Sequence, residues 1–295
     1  MRDQAERLRE IVRASEDDNA CIEGVAGKIP GKIVAVTSGK GGVGKTNVAV
    51  NLAVSIAKRG RRVVLVDLDL GLANADVVLD VRAPHNLEDV VSGKKKVHEI
   101  IVPGPGGIDL VPGGSGVPRL AALTDIQREY FLSNVYSLTG IYDYIIFDTA
   151  AGISTDVLNF IVAADEVVVV TTEEPTAITD AYALMKVAKG KRDDVALSLL
   201  INMVKSGQQA RTLYSRIKEV AHQFLHIDLP CMGMIPFDRC VRESVMKRKA
   251  FVLAYPFSPA TVALKQMAQK IVLADVRSYR AVATWRDRIA MLMHA

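Results

Sequence analysis

The sequence predicts an α/β fold, a doubly wound and mostly parallel sheet with helices on both faces. Three features predict it. Short β-branched apolar runs recur along the chain, segments of helical period separate them, and a glycine-rich loop joins the first run to the first such segment. Most runs are continuously apolar rather than alternating, as strands covered on both faces require.

The first run, Ile33-Val34-Ala35-Val36, leads into that loop. Beyond it Val48, Leu52 and Ile56 recur every four residues with Ala49 and Ala53 beside them, the pattern of a helix with one buried face, and Gly60 supplies its stop. The second strand is Val63-Val64-Leu65-Val66. The third, Ile108-Asp109-Leu110-Val111, lies between the clusters 103–107 and 112–116, whose prolines and glycines read as surface loops. Tyr144-Ile145-Ile146-Phe147, Val167-Val168-Val169-Val170, Leu197-Ser198-Leu199-Leu200-Ile201 and Met232-Gly233-Met234-Ile235 complete the set. No internal repeat interrupts them. The expected organisation is an N-terminal helix and linker (1–25), one α/β domain (26–274) and a C-terminal basic amphipathic helix (275–295).

A length of 295 residues with 49% hydrophobic and 24% charged residues excludes a wholly disordered chain, a collagen and a disulfide scaffold. Cys21, Cys231 and Cys240 form no CxxC pair, so neither a disulfide framework nor a zinc clip is expected, and a reducing cytosol fits. Met1-Arg2-Asp3-Gln4 alternates charge where a secretory leader needs an apolar stretch, and no run approaches the roughly 18 apolar residues that span a bilayer. Membrane contact is therefore expected to be peripheral. The net charge of +4 conceals an acidic head (1–23, net −3), a neutral middle and a basic tail (242–295, net +7). Such ends suggest partners, and the middle the chemistry.

Gly39-Lys40-Gly41-Gly42-Val43-Gly44-Lys45-Thr46 matches G-x-x-x-x-G-K-[ST] between a strand and a helix. Its glycines let successive N–H groups curl around phosphate oxygens, and the helix N-terminus adds partial positive charge. Lys45 then neutralises the β- and γ-phosphates, and Thr46 offers a hydroxyl to Mg²⁺. Carboxylates follow at strand ends: Asp67 and Asp69 after the second strand, Asp148 after the fourth. In an extended D-x-D the side chains diverge, so both serve one site only where strand gives way to loop. Guanine readers use N-K-x-D, which Asn202-Met203-Val204-Lys205 does not supply, so ATP is expected rather than GTP.

The second lysine of the loop, Lys40 in K-G-G-V-G-K-T, resembles the deviant Walker A motif of the MinD/ParA family of dimerising ATPases. That resemblance implies a nucleotide cradle of Gly39 to Asn47, with Lys40 reaching the partner's nucleotide in an ATP-dependent homodimer and Lys45 and Asp69 acting in catalysis. It assigns Asp69 to positioning the attacking water, and Thr46, Asp67 and Asp148 to Mg²⁺. Gly152 would leave room beside the γ-phosphate. Glu174 would touch the partner's ribose, Asp180 would hold Lys40 in the nucleotide-free monomer, and Asn202, Pro236, Phe237 and Asp238 would lie at the adenine.

Within that family Asp3-Gln4-Ala5-Glu6-Arg7-Leu8-Arg9 resembles the activating head of the FlhG (FleN, YlxH) flagellar-number regulators, and Lys45 to Val48, Asp69 to Asn74 and Glu174 to Ala183 resemble other segments of the same regulators. The resemblance implies that Gln4, Leu8 and Arg9 stimulate FlhF, a signal-recognition-particle-type GTPase, and that switch-complex proteins or a transcription regulator are further partners. Near the C-terminus Val282, Trp285, Ile289 and Leu292 share a helical stripe beside Arg280, Arg286 and Arg288, which suits an anionic membrane surface or a helix docked on the body. The resulting expectation is an Mg-ATP-dependent regulator of flagellar number and placement at the inner face of the cell membrane. The alternative is a ParA-type partitioning ATPase that grips DNA without sequence preference. The D-Q-A-x-x-L-R head argues against DNA.

Overall fold

The strands of the computed structural model, which describes residues 30–69, 74–114 and 123–275, are β1 (Lys32–Ser38), β2 (Val63–Leu68), β3 (Val102–Pro103), β4 (Asp109–Val111), β5 (Tyr144–Ala151), β6 (Glu166–Thr171), β7 (Leu197–Val204) and β8 (Cys231–Pro236). They form one sheet in the order β3-β4-β2-β5-β1-β6-β7-β8. Every neighbouring pair is parallel except β3 with β4. All of the seven runs read from the sequence are strands. The eighth strand, β3, was not expected: it is two residues long and sits at the sheet edge, where Pro103 is tolerated because the outer side needs no ladder N–H.

The helices are α1 (Lys45–Ala57), α2 (Ala75–Leu79), α3 (Leu87–Val91), α4 (Asp125–Ser137), α5 (Thr155–Ala163), α6 (Pro175–Lys191), α7 (Gly207–Leu225), α8 (Arg239–Met246), α9 (Phe251–Ala254) and α10 (Pro259–Asp275). One sheet face packs against α1 and α10: Val48, Leu52 and Ile56 meet Val34, Val36, Leu65 and Ile146, with Leu264 and Met267 alongside. The opposite face carries α4 to α7 on Ala35, Val66, Phe147 and Val169. There Phe160 meets Phe147 and Phe131 edge-on, with ring centroids 6.0 and 6.3 Å apart. Burial on both faces is the physical reason these strands lack alternation.

β5 lies between β2 and β1, a register that sets Asp67 directly opposite Asp148. From β1 the chain builds toward β2 on one side, and after β5 it crosses to β6, β7 and β8 on the other. The carboxyl end of β1 is therefore where the winding reverses, the place at which open α/β sheets leave a crevice for ligands.

Candidate functional site

The glycine-rich loop emerges from that crevice. Ser38 Oγ donates to Lys40 O at 3.0 Å, and Gly152 N donates to Ser38 O at 2.8 Å, which anchors the start of the loop to β5. Gly42 and Gly44 are left-handed, at φ 81° and 87°. A methyl on Gly39 would stand 2.2 Å from the Asp180 backbone in α6, whereas Gly41 and Gly42 face open space. One side of the loop is thus packed on the protein and the other left clear for a ligand.

α1 starts at Lys45 with Gly44 as its N-cap, so no side chain caps it and no acid lies in its first turn. By contrast Asn86, Thr124, Ser154, Ser206 and Asp238 cap α3, α4, α5, α7 and α8. The unspent N–H groups and the helix dipole at α1 point an anion-binding end at the clear side of the loop.

Lys45 is buried and donates to Asp148 Oδ1 at 2.7 Å, and Thr46, next along α1, also favours the ionised form of that carboxylate. Asp67 accepts three backbone N–H bonds, from Asp69 at 3.1 Å, Asn74 at 2.9 Å and Ala75 at 3.0 Å, which fold the β2–α2 turn around it. Burial and then the Asp148 charge push the Asp67 carboxyl up to about 7, against those hydrogen bonds. Burial likewise raises Asp148, opposed by Lys45 and Thr46. Two buried carboxylates against one ammonium leave a site that is short of positive charge.

Lys40 stands at the exposed rim and donates to Glu174 Oε2 and Thr176 Oγ1, both at 2.9 Å. This ammonium holds the Glu174 carboxyl below its ordinary range. The lysine was expected on Asp180. That carboxylate is not its partner: the Asp180 backbone packs against Gly39, and Glu174, the N-cap residue of α6, is the acid within reach. Thr176 was missed, because nothing in the linear sequence ties an exposed threonine to a lysine 136 positions away.

On the far side Asn202 Nδ2 donates to Val43 O at 2.8 Å, and a methyl on Gly44 would stand 2.4 Å from that nitrogen. Pro236 ends β8 and Phe237 follows it, exposed. Both Asp238 oxygens are engaged, Oδ1 by Cys240 N at 2.9 Å and Oδ2 by Ala260 N at 3.2 Å, so this carboxylate caps α8 and ties it to α10. Asn47 lies in the first turn of α1, its carbonyl accepting from Asn51 Nδ2 at 2.8 Å. The structure therefore gathers the loop, Lys45, Asp67, Asp69, Asp148 and Asn202 at one end of the sheet, with Lys40 and Glu174 on its rim. Gln4, Leu8, Arg9 and the stripe from Val282 to Leu292 lie outside the described residues.

Residues 31–201 match the family model described as an AAA domain. The chain is 42% identical over 242 residues to the antiactivator FleN of Pseudomonas aeruginosa, covering 82% of this chain and 86% of that protein. It is 37% identical to the flagellum site-determining protein YlxH of Helicobacter pylori, covering 82% of each. The chain belongs to the MinD/ParA-type P-loop ATPases. Among solved structures, the septum site-determining protein MinD of Pyrococcus horikoshii, complexed with Mg-ADP, superposes with a TM-score of 0.66 at 27% identity, over 84% of this chain and 99% of that one.

The donor set suits the magnesium of this family. Hydroxyl and carboxylate oxygens, the hard ligands Mg²⁺ prefers, are offered by Thr46, Asp148 and Asp67 beside the cradle that Gly41 and Gly42 leave clear. Among the described residues no three His, Cys, Asp or Glu side chains form a metal cage.

Proposed function

We propose that this ATPase binds Mg-ATP at the β1–α1 loop, dimerises through the face that carries the nucleotide and hydrolyses it slowly, as a regulator of flagellar number and placement. The observation that carries the reading is the split of the loop's two lysines. Lys45 is buried on Asp148 and committed to this chain's own site, whereas Lys40 is at the rim on Glu174 and Thr176, free to change partner without unfolding anything.

Phosphate binding falls to the loop N–H groups, the α1 N-terminus and Lys45. Mg²⁺ supplies charge neutralisation at the β- and γ-phosphates when held by Thr46, Asp67 and Asp148. Asp69, following β2, is the group assigned to orienting the attacking water, and Asn202 with Phe237 flanks the base. With little covalent chemistry to perform, the protein's part is positioning and electrostatic stabilisation. Asp69→Ala should bind ATP yet lose most turnover; unchanged phosphate release would count against this assignment.

The likeness to FleN and YlxH supports the flagellar role, and the head sequence supports FlhF as partner. Full-length protein mixed with FlhF should accelerate its GTP hydrolysis, and Gln4→Ala should abolish that effect. Peripheral attachment at the inner membrane face through 275–295 is supported by its basic, amphipathic sequence. Lipid co-sedimentation of the full chain with ATP, compared with a chain ending at Val276, tests it: equal sedimentation of the two discards the tail as anchor.

A further inference from the structure

The positive charge of the C-terminal region is not confined to its end. Of the net +7 carried by 242–295, +4 falls on 242–275, where six Lys and Arg stand against Glu243 and Asp275 within the described fold. Part of this charge borders one turn. Tyr255-Pro256-Phe257-Ser258 connects α9 to α10, and Phe257 is 90% exposed, with Met246 at the end of α8 80% exposed. These are the two most exposed large apolar side chains among the described residues.

Hydrogen bonds fix the turn. Tyr255 O accepts from Ser258 N at 3.1 Å and from Thr261 Oγ1 at 2.8 Å, and Pro256 O accepts from Lys265 Nζ at 2.9 Å. Lys247 Nζ donates to Tyr255 Oη at 2.8 Å, and Arg59 Nη2 donates to Lys265 O at the same distance. Cations from the ends of α1 and α8 and from α10 are thereby gathered beside the Pro256-Phe257 tip. Lys249, exposed two residues beyond Lys247, adds another. The acids of this region are engaged: Glu243 accepts from Tyr255 Oη at 2.7 Å, and Asp80 pairs with Arg248 at 3.5 Å.

One exposed apolar side chain is ordinary on a protein surface, but this ring sits on a fixed turn among cations. A second copy of the chain does not suit it, because pairing the same patch would set cation against cation. What suits it carries negative charge above an apolar layer. An anionic leaflet has that order: lysine and arginine stop at the headgroup phosphates while an aromatic ring enters the acyl boundary. We propose that the turn at Phe257, bordered by Arg59, Lys247, Lys249 and Lys265, is a second contact with anionic membrane, made by the folded body and separate from 275–295. It rests on the peripheral-attachment reading above and adds an orientation to it, with the α1 and α10 face of the sheet turned to the lipid.

The single tryptophan, Trp285, lies in the tail stripe, so Trp285→Phe keeps that stripe apolar and clears the fluorescence background. Adding Phe257→Trp to this full-length chain then reports on the turn alone. With ATP and vesicles of phosphatidylglycerol and phosphatidylethanolamine its emission should shift to the blue, and vesicles of phosphatidylcholine should leave it unmoved. Sedimentation without a blue shift overturns the proposal and leaves the tail as anchor. An equal shift on the neutral vesicles overturns the anionic assignment, and a shift with duplex DNA but not with vesicles overturns lipid as the occupant. In the otherwise natural chain, Phe257→Ser and Lys249→Glu should each weaken binding to the anionic vesicles about five- to ten-fold at low salt. Both side chains are exposed, so the urea midpoint should stay near wild type. Undiminished binding in both variants overturns the proposal as well. Wild-type protein that sediments with neither vesicle overturns the peripheral-attachment reading itself.

Discussion

Lys45 and Lys40 show how burial decides what one ammonium is worth. At 2.7 Å from Asp148 and almost without solvent, Lys45 compensates a charge that would otherwise sit desolvated in the sheet. Removing one partner of such a pair costs about 3–5 kcal/mol, because the other is left buried and alone. Lys45→Ala should therefore lower the stability of the nucleotide-free protein by about that amount in urea unfolding. Lys45→Ala with Asp148→Asn should recover part of it, since the stranded charge is gone. Lys40→Ala removes an exposed contact and should leave the unfolding midpoint near wild type. Equal losses for the two lysines would contradict the assignment of Lys45 to a buried, structurally coupled site.

At the scale of elements, α8 depends on its cap. Burial acts to raise the Asp238 carboxyl, but the N–H groups of Cys240 and Ala260 lead the polar neighbours that outweigh it and hold the group below its ordinary range. A depressed folded-state value means that the ionised cap contributes stability above the unfolded carboxyl's titration, near pH 4, and loses it as pH falls further. Asp238→Ala should cost about 1 kcal/mol at neutral pH, and the difference from wild type should shrink below about pH 4. Chemical denaturation at several pH values measures both. The long apolar strands and the loop motif were legible because each carries its signal within a few adjacent residues. β3 was not, since Val102-Pro103 is too short to show a period and exists only by pairing with β4. Nor were the contacts of Lys40 with Glu174 and Thr176, which arise from packing among segments distant in sequence. The aspartates at strand ends could be read as a group, whereas the capping duty of Asp238 required α10 to be in place.

Across the whole molecule, the ligand groups and several exposed apolar side chains share one end of the sheet. Val77 in α2 and Ile153 after Gly152 are each about half exposed, although they follow the strands that carry Asp67 and Asp148. Exposed Lys40 and Glu174 lie on the same rim. Exposed apolar side chains and exchangeable charges at the same end of the sheet suit a self-complementary interface, in which the same patch serves both copies. Assembly and nucleotide would then be linked: ATP placed between two copies adds contacts that neither copy makes alone, so each favours the other. Ile153→Asp places a charge on that face without replacing Lys45, Thr46 or the aspartates. In an Asp69→Ala background, where ATP persists, light scattering should show a dimer that Ile153→Asp converts to monomer while ATP affinity per site falls only by the lost coupling. Retention of the dimer would move the interface away from the nucleotide-bearing face. The exposed position of Lys40 would then have to serve its own site alone.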